Sequence, residues 1–119
     1  MNQPAYANGK ICYIEIPADD IQYSASFYKE VFGWKIRNDN SGNISFDDTV
    51  GQVSGMWVTG RKPASEVGFI ISIMVNSISE TIALIIDKGG EILSVDVDGP
   101  EKTARFKDPY GNIFGLYQQ

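Results

Sequence analysis

The chain has 119 residues and a net charge of −5 at pH 7, and it contains no histidine and one cysteine. An acidic chain repels the phosphate backbone, so we expect no nucleic-acid partner. The absence of histidine excludes a Ser-His-Asp or Cys-His nucleophile and leaves a zinc site with little besides oxygen ligands.

The chain predicts a single domain over residues 1–119 that lies in the cytoplasm. No apolar stretch approaches the ~20 residues that a membrane-spanning helix needs, so we expect no membrane partner. Residues 1–8 lack the basic start and the apolar centre of a signal peptide. Cys12 cannot form an internal disulfide, and its apolar surroundings predict a buried thiol.

The first half of the chain predicts one helix among four strands. Residues 11–16 form an alternating, β-branched run that is typical of a strand. Asp20 can cap a helix over Ile21–Phe32, which Gly33 ends. Turns rich in Asn, Asp, Ser and Gly separate the remaining strands, which we place at 34–38, 43–46 and 53–59.

A linker over residues 60–67 leads to a second half with the same order of elements. Residues 69–75 predict its first strand. Ser77 and Glu80 fit a capping box, and the helix extends to about Lys88. The later strands are expected at 91–95, 103–107 and 113–118.

The two halves also match each other at fixed offsets. A shift of 57 residues aligns their first strands and helices, and a shift of 60 residues aligns Gly55 with Gly115. We therefore predict two βαβββ modules, over about residues 10–59 and 68–118. The alternative is a two-layer α+β sandwich in which the repeat is a coincidence.

Strand alternation predicts which side chains point away from the helices. Met56 and Val58 of one strand should pack under a helix, and their neighbours should lie on the opposite, concave face. That face combines aromatic, polar and glycine residues, which is typical of a small-molecule cavity. The expected lining residues are Tyr13, Glu15, Phe46, Gly55, Trp57, Ile70, Ser72, Met74, Gly115 and Tyr117. For the aromatic residues, and for Phe46 above all, ordinary packing is the alternative role.

Two segments resemble the vicinal-oxygen-chelate superfamily of glyoxalases, bleomycin resistance proteins and extradiol dioxygenases. They are the opening IEIPADDIQYSASFYKEVFGWKI (14–36) and the ending ARFKDPYGNIFGLYQQ (104–119). The resemblance implies an α+β fold in which two βαβββ modules form a curved, mostly antiparallel sheet around a cavity, with the helices outside. It also implies a homodimer.

Metal-dependent members of this superfamily hold one divalent ion with side chains from the first and last strand of each module. The resemblance transfers these positions to Tyr13, Gly55, Ile70 and Gly115, which offer no good ligand. We therefore expect no metal and no other cofactor. Lactoylglutathione lyase and dioxygenase activities need the ion, so we expect neither.

Three functions remain open, and we favour a non-enzymatic one. The favoured function is a metal-free protein that holds a planar or cationic organic small molecule in the cavity, with Tyr13, Trp57 and Tyr117 as contacts. The first alternative is a metal-independent isomerase or lyase with Glu15 as general base. The second alternative is a non-catalytic protein-interaction module.

Overall fold

The computed structural model of the chain describes residues 4–66 and 68–119. The chain divides between Arg61 and Lys62 into two compact units, which we call unit 1 and unit 2. The division falls inside the predicted linker 60–67, whose last residue, Val67, lies outside the described residues. Residues 1–3, which belong to the predicted domain and to the segment searched for a signal peptide, also lie outside them.

Unit 1 has the order βαβββ. Its elements are β1 (Tyr13–Pro17), α1 (Ile21–Phe32), β2 (Lys35–Asn38), β3 (Ile44–Asp47) and β4 (Ser54–Val58). The strands form an open sheet in the order β1-β4-β3-β2, in which β1 is parallel to β4 and the other pairs are antiparallel.

Unit 2 repeats this order and this topology. Its elements are β5 (Ser72–Met74), α2 (Ile78–Asp87), β6 (Glu91–Asp96), β7 (Lys102–Lys107) and β8 (Ile113–Gln118). The sheet order is β5-β8-β7-β6, with β5 parallel to β8. The predicted α+β class and the predicted βαβββ order are therefore confirmed, with two mixed, open, four-stranded sheets.

Both helices begin where the capping residues predicted. The Asp20 carboxylate accepts a hydrogen bond from the Tyr23 N–H at 3.0 Å, and the Ser77 hydroxyl accepts one from the Glu80 N–H at 3.2 Å. These bonds satisfy amides that have no partner within the first turn of a helix. Gly33 ends α1 with a φ of 76°, a left-handed conformation that glycine adopts without strain.

An aromatic stack joins α1 to the sheet of unit 1. Tyr28 of α1 stacks on Trp34 with ring centroids 4.7 Å apart, and Trp34 stacks on Phe46 at 4.4 Å. Phe46 in turn lies 4.9 Å from Trp57 of β4. All four rings are buried, and burial of each stabilises the fold by roughly 1.5–3 kcal/mol. This stack marks the helix-facing side of the sheet.

The core of unit 2 is less aromatic. Ile78 and Ile85 of α2 are buried, as are Phe106 of β7 and Phe114 and Leu116 of β8. The rings of Phe106 and Phe114 stack with their centroids 5.9 Å apart. Alternation along β8 therefore leaves Gly115 and Tyr117 on the side away from α2, as predicted.

The orientation predicted for β4 is wrong. In β4 it is Gly55 and Trp57 that face the helix, because Phe46 pairs with Gly55 and the Trp57 indole belongs to the aromatic stack. Met56 and Val58, which we expected under α1, consequently lie on the opposite face of the sheet.

The turn before the last strand explains this difference. The Asp48 N–H donates to the carbonyl of Val53, whereas the Asp108 N–H donates to the carbonyl of Asn112. The turn of unit 1 is thus one residue longer, and an added residue exchanges the two faces of the strand that follows. The shift of 60 residues that aligned Gly55 with Gly115 therefore does not hold beyond the turn.

The prediction of a buried Cys12 is also wrong, because this free thiol is exposed. The strand begins at Tyr13, two residues later than the predicted start at residue 11. Cys12 therefore lies just before β1 and not within it. It still contributes its carbonyl, which accepts a hydrogen bond from the Ser54 N–H at 3.0 Å.

Candidate functional site

Each sheet has one face that its own helix does not cover, which we call its helix-free face. In unit 1 this face contains Tyr13 and Glu15 of β1, because Ile16 is buried beside Trp57 on the helix-facing side. Glu15 pairs with Met56 across the parallel strands, and Tyr13 pairs with Ser54. Tyr13 is 49% exposed, so its ring is available to a ligand.

Two ion pairs lie at the helix-free face of unit 1. An Arg61 guanidinium nitrogen lies 2.6 Å from Glu15 Oε1, and Arg37 Nε lies 3.0 Å from Asp47 Oδ2. The Ser54 hydroxyl also donates to Asp47 Oδ1 at 2.6 Å. The Arg61–Glu15 pair is exposed on both sides, and a pair of this kind stabilises a fold by only about 0.2–1 kcal/mol. A ligand could therefore take the place of Arg61 at little cost, whereas the largely buried Asp47 carboxylate holds Arg37 and Ser54 together.

The helix-free face of unit 2 is built on Gly115, which pairs with Ser72 on one side and Arg105 on the other. A Cβ added at Gly115 would lie 2.6 Å from Ser72 Oγ and 3.2 Å from Ile70 Cγ2. The space above this glycine is thus taken by two neighbouring side chains. Met74, the next residue along this face of β5, is 75% exposed.

On the helix-free face of unit 2, the pKa of Tyr117 is raised. A side-chain hydrogen bond with Glu101 raises the pKa of the Tyr117 phenol above its ordinary value of 10.0, and partial burial and the negative charge of Glu101 act in the same direction. Tyr117 is the register partner of Met74 in the β5–β8 ladder. Tyr117 is therefore a neutral hydrogen-bonding group at neutral pH.

The predicted lining residues fall into two groups. Seven lie on helix-free faces: Tyr13, Glu15, Ile70, Ser72, Met74, Gly115 and Tyr117. The other three, Phe46, Gly55 and Trp57, lie on the helix-facing side of unit 1. For Phe46 the alternative role of packing is the observed one, and Trp57 cannot stack on a ligand held on the helix-free face.

Sequence reasoning missed Met56, which occupies the place that we had assigned to Gly55. Met56 pairs with Glu15 in the parallel β1–β4 ladder, just as Gly115 pairs with Ser72 in the β5–β8 ladder. The length of the turn that begins at Asp48 is the signal that could have located it, because one added residue reverses the strand faces.

Sequence reasoning also missed a groove of about 500 Å³ in unit 1, beside the start of α1, the start of β3 and the end of β4. We call it the α1 groove. It is lined by Asp19, Asp20, Ile21, Gln22, Gly42, Asn43, Ile44, Met56, Trp57 and Thr59.

One lining residue of the α1 groove has an unsatisfied polar atom. Trp57 is 1% exposed, and its Nε1–H has no acceptor among the residues that the structure describes. A buried donor without a partner costs about 1–3 kcal/mol, and such groups are rare in folded proteins.

Neither a cluster of metal-binding side chains nor a membrane-spanning helix is found among the described residues. Within residues 4–66 and 68–119, no three His, Cys, Asp or Glu side chains come together in a group that could hold a metal ion. Over the same residues, neither helix has the length and the apolar character to cross a membrane.

Residues 10–116 match the sequence model of the glyoxalase/bleomycin resistance protein/dioxygenase superfamily. The chain belongs to this superfamily, as its opening and closing motifs indicated. A glyoxylase-like domain-containing protein from Didymella fabae is 46% identical over 37 residues. That match spans 31% of this chain and 29% of the relative's length.

Solved structures share the fold along nearly the whole chain. The genomically encoded fosfomycin resistance protein of Listeria monocytogenes superimposes with a TM-score of 0.77 at 16% identity, over 95% of both chains. A hypothetical protein of S. aureus gives 0.73 at 19% identity over 96% of both chains. A superfamily member from Sphaerobacter thermophilus gives 0.73 at 21% identity, over 93% of this chain and 98% of its own. At these identities the likeness shows the fold alone.

Proposed function

We propose that this chain is a metal-free small-molecule-binding protein of the superfamily, which holds a planar or cationic organic ligand on the helix-free side of its sheets. The observation that carries the proposal is the side-chain chemistry at the positions where metal-dependent relatives place their ligands. These positions are Tyr13, Ile70 and Gly115, together with Gly55 in the sequence alignment or Met56 in the strand pairing.

This set of residues does not fit a divalent ion. Glycine and isoleucine have no side-chain donor, and a thioether such as that of Met56 suits soft metals rather than hard divalent ones. The Tyr13 phenol is a poor ligand while it keeps its proton. The nearest carboxylate on the helix-free face, Glu15, is in an ion pair with Arg61. We therefore derive no Lewis-acid step for this protein.

The same face suits an organic cation or a planar ring. The exposed Tyr13 ring offers a surface for stacking and for cation–π contact. Glu15 offers an exposed carboxylate whose present partner, Arg61, is an exposed guanidinium group. A flat cation could thus gain stacking energy and electrostatic attraction together.

Binding of a planar organic cation such as ethidium, followed by fluorescence, tests this proposal. We expect Tyr13→Ala to weaken binding by about tenfold, as loss of one cation–π contact predicts. Tyr23→Ala is the matched control, because Tyr23 is 50% exposed but lies on α1. Equal effects of the two substitutions would exclude Tyr13 as a specific contact.

A native mass spectrum of the protein purified without chelator from its own host tests the metal-free state. We expect the apo chain or a metal-free organic adduct, and the adduct mass would begin to identify the ligand. A stoichiometric divalent ion would contradict the proposal. The same spectrum reports whether the predicted homodimer forms, which stays a prediction together with the cytoplasmic location.

The isomerase or lyase alternative depends on Glu15 as a general base. In the structure this carboxylate is 2.6 Å from the Arg61 guanidinium, so a substrate would first have to displace that partner. Full turnover by Glu15→Gln, once a substrate is known, would remove the proposed base. The protein-interaction alternative has no specific contact in its favour.

A further inference from the structure

We propose that the helix-free face of unit 1 takes an aromatic zwitterion, a compound that carries a planar ring, an ammonium group and a carboxylate, as an aromatic α-amino acid does. The ring would lie on Tyr13, the ammonium group would bind Glu15, and the carboxylate would bind Arg61. The inference rests on the function proposed above, because it assigns a chemical class to the ligand of the same face.

The three side chains are close together and open to solvent. Tyr13 and Glu15 lie on the same face of β1, with about 7 Å between their Cα atoms. Arg61 contacts Glu15 directly, with a guanidinium nitrogen 2.6 Å from Oε1. Tyr13 is 49% exposed, and the side chains of Glu15 and Arg61 are 43% and 54% exposed. A ligand can therefore contact all three groups without any rearrangement of the core.

The ion pair favours a ligand that carries both charges. A simple cation that binds Glu15 takes the place of Arg61 and leaves that guanidinium without its carboxylate. A zwitterion replaces one ion pair by two, because its ammonium group binds Glu15 while its own carboxylate binds the guanidinium. The present contact uses Glu15 Oε1, and no residue that the structure describes binds Oε2. The carboxylate thus keeps an oxygen for the ammonium group.

The surface beside Glu15 suits the ring. Met56 is the register partner of Glu15 in the β1–β4 ladder and is half-buried. Its thioether is polarisable, and such groups make favourable contacts with aromatic rings. The ring of the ligand can thus contact both Tyr13 and Met56. The separation of about 7 Å along β1 suits a ring and charged groups that are joined by a short aliphatic chain.

Three small molecules that share one ring and differ in charge test this class in ligand-observed NMR titrations. Phenylalanine carries both charges, phenethylamine lacks the carboxylate, and 3-phenylpropionate lacks the ammonium group. We expect phenylalanine to bind most tightly and the other two to bind about two- to fivefold more weakly, as the loss of one exposed ion pair predicts. Ethidium is the reference ligand, because it reports on the proposed function without a carboxylate.

Charge variants assign the two contacts. Arg61→Gln should lower phenylalanine binding to the level of phenethylamine and should not weaken phenethylamine binding, because the guanidinium competes with the amine for Glu15. Arg37→Gln is the matched control, since Arg37 is similarly exposed but belongs to β2, at the opposite edge of the sheet from β1. Glu15→Gln should lower phenylalanine binding to the level of 3-phenylpropionate, whereas Glu30→Gln on α1 should leave it unchanged.

The reference ligand separates failure of this inference from failure of the proposed function. Phenethylamine binding as strong as phenylalanine binding, equal effects of Arg61→Gln and Arg37→Gln, or ethidium binding without binding of the three probes would each overturn the inference and leave the proposed function in place. Failure of ethidium and of all three probes to bind would overturn both.

Discussion

Two glycines that sequence alignment made equivalent should respond differently to the same substitution. A Cβ at Gly55 would clash with the carbonyl oxygen of Ile14 and with the ring of Phe46. The carbonyl belongs to the paired strand β1, and the ring is held in the aromatic stack, so neither can move cheaply. A Cβ at Gly115 would meet mainly the Ser72 hydroxyl, which lies on an exposed residue and can rotate away.

These contacts set the expected magnitudes. Overpacking of a core typically costs about 1–3 kcal/mol, and the rigid neighbours of Gly55 place Gly55→Ala at the upper end. Alanine recovers about 0.5–1 kcal/mol through its lower backbone entropy in the unfolded chain. We therefore expect Gly55→Ala to reduce the free energy of unfolding by about 2 kcal/mol, and Gly115→Ala to change it by less than about 1 kcal/mol.

Equilibrium unfolding in urea measures both values, provided that the slope against urea concentration stays the same among the variants. Replacing Phe46 by leucine in the Gly55→Ala background should restore part of the loss, because it removes the ring that the new methyl group meets. A Gly55→Ala variant as stable as the parent, or one affected no more than Gly115→Ala, would refute the register of β3 and β4 described above.

Three further predictions concern single residues. Asp108→Ala should reduce the free energy of unfolding in urea by about 2–4 kcal/mol, and by more than Asp48→Ala. The reason is that the buried Asp108 carboxylate accepts three backbone N–H bonds, whereas the Asp48 carboxylate accepts two. Equal losses of stability in the two variants would contradict this explanation. Glu101→Ala, which removes both the acceptor and the negative charge, should move the pKa of Tyr117 back towards 10.0 in an NMR titration, and an unchanged midpoint would refute the hydrogen bond. Because folding raises the pKa of Tyr117, the protonated phenol stabilises the folded state. This stabilisation is complete below the ordinary pKa of 10.0 and is lost as the pH rises through the raised pKa of the folded protein. Cys12 should react with a thiol reagent in the native protein about as fast as in urea, and strong protection would indicate a buried thiol.

Local signals located the helices well. The caps at Asp20 and Ser77 place the starts of α1 and α2 where the structure has them, because a capping side chain and the amide it satisfies lie within one turn. The strands were located less sharply. β5 spans only Ser72–Met74, although the apolar pattern extended over residues 69–75. The strand is short because only these three residues pair with β8.

The sites were harder to predict than the fold. Alternation along β5 and β8 correctly placed Ser72, Met74 and Tyr117 on the face away from α2. The same reasoning failed for β4, where Trp57 joined the core and left Met56 on the helix-free face. The α1 groove could not be foreseen, because it requires the start of α1 and the turn before β3, which are distant in sequence, to meet beside Trp57.

The βαβββ order and both helix starts could be predicted from the amino-acid pattern. These features depend on residue types and on contacts within a few residues. The face of β4 that meets α1 could not be predicted in this way, because it depends on the pairing partner of Gly55 and hence on one added residue in the Asp48 turn. A period of two residues converts that single insertion into a reversal of every side chain along the strand.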